Sequence, residues 1–212
     1  MCCLDVESCL AAIQVKLADR ILKNDRFEKL ERIAGADVSF TRDDHAVAAA
    51  VVLDLDTLDI LEQKTHKVEL PLPYIPGFLG FRESNAVVSV IKMLKEEFDV
   101  LMVNRHGIMH PRGFGLASHV GLLLDLPTFG VAKRLIVGRN ISPVTDLPTP
   151  VKFMNQTVGA RIKGNYVSIG HKISLKTAVN LTIKTEIFKT PEPVRVAHIL
   201  ATNRAKSELN GN

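Results

Sequence analysis

Long hydrophobic runs are missing from this 212-residue chain. The longest, AVAAAVVL from Ala46 to Leu53, falls far short of the roughly 20 apolar residues that span a bilayer, which argues against a membrane protein. Cysteine is scarce: Cys2, Cys3 and Cys9 are the whole complement. An odd, crowded set cannot build a disulfide framework, and it lacks the paired spacing and nearby histidines of a zinc site. Reduced thiols are therefore expected and, since MCCLDVESCL has no basic leader region, so is a soluble, cytoplasmic protein. A long basic block is also lacking. The net charge of +4 is spread along the chain, from Arg82 and Lys92 through Arg105, Lys133 and Arg161 to Lys176. Such a field is compatible with a polyanionic partner and is weak support for one. No internal repeat, low-complexity segment or linker interrupts the chain. With 46% hydrophobic and 24% charged residues, 1–212 reads as one globular domain.

What is present is a run of strands followed by strand and helix alternation. Leu10 to Leu30 has apolar residues at helical spacing (Leu10, Ile13, Leu17, Ile21) and predicts an amphipathic helix without special chemistry. ERIAGADVSF predicts a buried strand, and AVAAAVVLDLDTLDILEQKTHKVEL two more joined near Asp54 to Asp59, an antiparallel meander. The proline-rich loop PLPYIPGFLGFRE leads into a helix predicted to begin near Glu83 and Ser84, and DVLMV is a short strand covered on both faces. A helix from Gly113, a PTFGVAKR strand, a hairpin around Gly164 and Asn165, the helix LKTAVNLTIKT and a shorter helix in PEPVRVAHILATNRAK complete the chain. The fold class is α/β: a mixed sheet, meander first and strand-helix units after it, flanked by helices.

Candidate chemistry falls where elements begin or end. Asp37 lies inside an apolar strand, where a carboxylate is costly unless ion-paired, hydrogen-bonded or coordinating a cation. Glu83 opens a helix, where the dipole alone would favour it. In VLMVNRHGIMHPRGFGLASHVG the strand delivers Asn104 to its tip, followed by Arg105, His106, Gly107, His110 and Arg112. These histidines suit acid-base or ligand chemistry, and suit equally a turn with satisfied hydrogen bonds. Lys133 and His171, each at a strand end, are candidates of the same rank.

The joint pattern says more. IAGADVSF, PYIPGFLGFRE, VNRHGIMHPRGFGLASHVG, PTFGVAKR and VSIGHKISL, in this order, resemble the motif series of endonuclease V, a family of magnesium-dependent nucleases with a ribonuclease H-like fold. The resemblance runs from Ile33 to about Pro193. It implies a ribonuclease H-like mixed sheet and a metal-binding aspartate at Asp37, with a second metal ligand at the position of Asn104. Glu83 and His171 would complete an acidic site holding Mg²⁺, with Mn²⁺ able to take its place, on the scissile phosphate. Lys133 would neutralise the anionic transition state. Tyr74, Ile75 and Pro76 would form a wedge beside a displaced base, and Gly77, Leu79, Gly107 and His110 a largely backbone pocket for hypoxanthine. The implied reaction is nicking of DNA or RNA containing deaminated bases at the second phosphodiester 3′ to inosine, by a monomer.

At the strand tip the chain departs from the family. Asn104 stands where the second metal-binding aspartate belongs, and an amide oxygen brings no charge to a hard cation. Arg105 replaces a glycine, and its side chain would fill the pocket or turn outward to a phosphate or base edge. Two readings follow: an endonuclease slowed or altered by Asn104 and Arg105, and a catalytically impaired protein that binds flipped or deaminated bases without cutting. A third reading is a soluble protein that keeps only the fold.

Overall fold

The structure, a computed structural model, describes residues 5–41, 45–140 and 147–210. Cys2 and Cys3 lie outside them, and Cys9 is an exposed free thiol. The described elements are, in order, α1 (Val6–Ala18), β1 (Arg32–Phe40), β2 (His45–Asp54), β3 (Ile60–Glu69), α2 (Leu79–Ile91), β4 (Val100–Val103), α3 (Leu116–Leu124) and β5 (Thr128–Ala132). There follow β6 (Arg139–Asn140), β7 (Thr149–Phe153), β8 (Gln156–Ile162), β9 (Asn165–His171), α4 (Leu175–Thr185) and α5 (Glu192–Asn210). All these strands join one sheet in the order β3-β2-β1-β4-β5-β9-β8-β7-β6. Strands β1, β4 and β5 are parallel neighbours, and the remaining pairs are antiparallel. The α/β mixed sheet and its opening meander are as expected.

Helices α2 and α3 pack with Ala34, Ala36, Val38 and Leu101 on one face of the sheet. Helices α4 and α5 pack on the other, with Ile33, Leu53, Phe129 and Ile169. This is why β1, β2 and β4 read as continuous apolar runs rather than alternating ones: side chains on both faces leave water, each large one stabilising the fold by about 1.5–3 kcal/mol. Edge strand β3 has one covered side and is correspondingly polar.

Several elements differ from expectation. The helix predicted over Leu10 to Leu30 stops at Ala18, because the following segment bonds elsewhere: Lys172 N donates to Leu22 O at 2.8 Å, and Arg26 N to Lys172 O at 3.1 Å. Asp25 then caps α4, accepting from Ser174 N at 2.6 Å. The α2 helix begins at Leu79, four residues before Glu83, and the segment after Ile91 is not helical. The final helix, expected to be short, runs 19 residues. Strands β6 and β7 had no counterpart in the sequence reading. The β8-β9 turn uses Lys163 and Gly164, both with positive φ, one residue ahead of the expected position.

Candidate active site

Strand β4 ends at Val103, paired with Ala36, while β1 continues to Phe40. Asn104 N donates to Ala36 O at 2.9 Å, so Asp37 is the first residue of β1 beyond the parallel ladder. A side chain there is carried to the carboxyl end of the parallel strands, where open sheets place their chemistry. Asp37 is 3% exposed. His198 of α5 approaches it, with Nδ1 2.6 Å from Oδ2. Glu83 comes from α2, across the sheet from α5, and is fully buried. It does not open its helix, so the helix dipole does not account for it.

Arg105 joins the two carboxylates around the end of β4. Its Nη1 lies 3.6 Å from Asp37 Oδ1 and its Nε 3.5 Å from Glu83 Oε2, while Nη1 also donates to Asn104 O at 2.8 Å. The guanidinium is turned inward, between the acids. Burial pushes the Glu83 carboxyl up to about 7; the Arg105 charge pulls it down and the Asp37 carboxylate adds to the rise. Neither Glu83 oxygen has a hydrogen-bond donor among the described residues. Two buried carboxylates and the Asn104 amide are hard oxygen donors suited to Mg²⁺. The point between the carboxylates, however, is taken by a cation of the chain itself, and no group of three or more His, Cys, Asp or Glu placed to hold a metal is found among the described residues. As arranged here, the site does not fit a divalent ion.

His171 is not in this site. It pairs with Thr128 at the amino end of β5, the opposite end of the sheet from Asn104. Its Nδ1 accepts from Leu22 N at 3.3 Å, and Nε2 lies 3.5 Å from Asp125 Oδ1. An antiparallel strand ending in histidine delivers that side chain to the far edge, whereas α5, crossing β1, delivers His198 to Asp37. Lys133 follows β5 at the same end as Asn104, where Nζ donates to Asn165 Oδ1 at 2.7 Å and to Lys189 O. Burial lowers its pKa. Asn165, fully buried, also donates to Glu186 and Lys189 O, so Lys133 is held by a built network.

The proline loop leaves β3 at Glu69, which pairs with His45 at the carboxyl end of β1. Tyr74 therefore projects, 67% exposed, at the acidic end of the sheet. The loop is tied on both sides of it. Arg82 Nη1 donates to Leu72 O, and Gly77 O accepts from Gln14 Nε2 at 3.1 Å and Arg112 Nη2 at 2.7 Å. Arg112 also donates to Gln14 Oε1 and lies over the Phe78 ring at 4.4 Å. Ile75 O closes a turn with Phe78 N ahead of Leu79, the first residue of α2. His110 accepts from Arg112 N through Nδ1, and burial lowers its pKa to about 4, which keeps a neutral ring beside the loop. Gly107 lies against Ile169 and Ser168 of β9.

Gln14 and His198 went unnoticed in the sequence, and Arg82 and Arg112 were given no role there. Gln14 is the one buried residue of α1; of the apolar residues at helical spacing, Ile13 is exposed, whereas Leu17 and Ile21 pack into the core. A signal for His198 existed: Val194, Ala197, Ala201 and Ala205 form a buried stripe, and His198 borders it.

The comparisons with known proteins bear on the fold and the family. The family model for endonuclease V matches residues 15–199. Endonuclease V of Dictyoglomus thermophilum is 38% identical over 208 residues, covering 94% of this chain and 91% of that one. The catalytic domain of human endonuclease V superposes with a TM-score of 0.88 at 31% identity, covering 96% of this chain and 97% of the other. Ciona intestinalis endonuclease V, in complex with a 24mer DNA containing an inosine followed by a ribo-adenosine, gives a TM-score of 0.81 at 27% identity, covering 92% and 96%. The mixed sheet and its flanking helices are thus ribonuclease H-like, and the chain belongs to the endonuclease V family.

Proposed function

We propose that the chain is an inosine-directed endonuclease acting on DNA or RNA, as a cytoplasmic monomer, and nicking at the second phosphodiester bond 3′ to the deaminated base. The observation that carries this reading is the meeting of Asp37, Glu83 and Asn104 at one end of the sheet, with the tethered Tyr74 loop at that same end. The inosine-containing DNA held by the Ciona relative supports the substrate class. Tyr74 replaces the stacking lost by a displaced base, and its anchored loop enters the duplex with little conformational freedom left to lose. Backbone at Gly77, Leu79, Gly107 and His110 receives the base, and Lys133 places positive charge on the phosphate. His198, exposed and bonded to Asp37, can exchange a proton at Nε2 with solvent beside the carboxylate. Mg²⁺, or Mn²⁺ in its place, is the cofactor of this reading and requires departure of Arg105. The guanidinium between Asp37 and Glu83 favours a second reading, recognition of deaminated bases without scission.

Among the described residues no helix is long and apolar enough to cross a membrane.

A nicking assay on labelled single-stranded and duplex oligonucleotides carrying one inosine, in Mg²⁺ and then Mn²⁺, separates the readings. Cleavage by the natural chain that drops at least ~100-fold in Asp37→Ala, the scale on which charge-stabilising groups act, supports the nuclease. Silence of the natural chain with cleavage by the double variant Asn104→Asp, Arg105→Gly supports the binder. Silence of both, in either metal and on both DNA and RNA, removes the nuclease reading.

Tyr74→Ala is expected to weaken binding of inosine oligonucleotides roughly 10-fold or more, since stacking on an aromatic face contributes about 1–3 kcal/mol per base. Unfolding stability should stay within about 0.5 kcal/mol, because the side chain is exposed. Fluorescence anisotropy and urea titration read the two quantities separately.

A further inference from the structure

Two neighbouring residues of this site differ from the pattern the family resemblance implies, and the structure shows that the differences belong together. Asn104 removes a negative charge from the strand tip. Arg105 adds a positive one, and it does not point to solvent: it contacts Asp37 at 3.6 Å and Glu83 at 3.5 Å with different nitrogens, and Nη1 is fixed by the Asn104 carbonyl. Two carboxylates around one guanidinium carry the same single excess negative charge as three carboxylates around one divalent ion. The substitutions therefore leave the charge of the site unchanged while altering what supplies the positive part. Buried carboxylates demand such a partner, and Glu83, whose oxygens find no hydrogen-bond donor among the described residues, has the stronger need. Arg82, which precedes Glu83 in α2, is committed to Leu72 O and the Phe40 ring.

We infer that Arg105 is the resident cation of the acidic site, a built-in substitute that shuts divalent metal out of the free protein. An ion bridging Asp37 and Glu83 has to displace the guanidinium, and the two positive charges repel each other at any distance the site allows. The planar fork is suited to this post, since it is always charged and spans two carboxylates at once. Removing Arg105 leaves two buried carboxylates facing each other without a cation. That is the condition in which a divalent ion binds. The inference rests on reading Asp37 and Glu83 as the acidic site and not on base recognition.

The test uses the full chain, stripped with chelator, and Mn²⁺ alone as the probe, with bound ion measured by the loss of the free Mn²⁺ paramagnetic resonance signal. No nucleic acid is present, so failure of inosine recognition leaves the result untouched. The natural chain should show no site that is sensitive to Asp37→Ala. Arg105→Gly should gain one Mn²⁺ site, at least tenfold tighter than anything in the natural chain, that disappears when Asp37→Ala is added. Its thermal unfolding should rise with Mn²⁺ while that of the natural chain does not. Asn104→Asp alone should gain little, because the guanidinium remains. Arg105→Gln keeps a polar side chain without the charge, and stands in if the glycine variant does not fold. An Asp37-dependent Mn²⁺ site in the natural chain, as tight as in Arg105→Gly, would overturn the inference, as would folded Arg105 variants that gain no site.

Discussion

Gly107→Ala is expected to destabilise the fold by about 3 kcal/mol or more, the upper range for forcing atoms into a packed interior. A Cβ at this position would lie 1.9 Å from Ile169 O and 2.6 Å from Ile169 C, and both are backbone atoms that cannot rotate aside. Retreat of the turn is blocked as well. Ile108 N donates to Ile169 O at 2.7 Å, Gly107 N to Ser168 Oγ at 2.9 Å, and Gly115 N to Gly107 O at 2.9 Å. Breaking these bonds moves the segment that carries Asn104 and Arg105, so the acidic site should be lost with the stability. Gly164→Ala is the control: φ there is +89° but nothing lies within 4 Å of the added methyl, and about 1–2 kcal/mol is expected from the backbone conformation alone. Urea unfolding of both variants decides the matter. Equal losses at the two positions would mean that the close approach of the turn to β9 is unimportant.

The second large effect is acid lability centred on His119. This ring lies in α3 against Phe81 and Phe114, with centroids at 5.0 and 5.2 Å, and burial lowers its pKa to about 4 from 6.5. Only the neutral ring suits that environment, so unfolding in acid takes up a proton. The folded value lies below the unfolded one. The contribution to stability is therefore complete above pH 6.5 and is lost as pH falls from 6.5 towards 4. At 1.36 kcal/mol for each tenfold change in proton concentration, the span from 6.5 to about 4 is worth about 3 kcal/mol. His110 acts in the same direction. Glu83 acts in the other: its raised carboxyl takes up a proton in the folded state between pH about 7 and 4.5, which favours folding as pH falls. Comparing the natural chain with His119→Phe cancels these shared contributions. The difference in unfolding free energy between the two chains should change by about 3 kcal/mol from pH 7 to pH 4. Parallel pH profiles would show that His119 titrates normally in the folded state.

Much of the fold was legible because burial on two faces writes itself into the chain. AVAAAVVL and VLMV are apolar without interruption and IAGADV is apolar but for Asp37, and each lies in a strand of the central sheet. Asp37 was conspicuous for the same reason, as one carboxylate in such a run. Glu83 was legible in a different way from the one assumed. It shares the helical spacing of Val87 and Val90, which marks it as facing the core rather than capping an end. Helix ends were less legible. Leu10 to Leu30 keeps its periodicity past Ala18, but bonds with Lys172, distant in sequence, hold the segment out of the helix instead. Short strands such as β7 depend on a neighbour for their pairing and carry little pattern of their own.

The sequence by itself determined the family, the mixed sheet, the position of Asp37 and the unusual pair at Asn104 and Arg105, because each is written in local residue types and their order. Which histidine meets Asp37 was decided by the tertiary structure alone. His171 and His198 are both late, and only the direction of β9 and the crossing of α5 over β1 sends one away and brings the other to 2.6 Å. The direction of Arg105 was decided in the same way. A long cationic side chain on a turn has no preferred direction in the sequence. Two carboxylates, brought from different elements and stripped of water by packing, turn it inward, since buried negative charge must find its positive partner within reach.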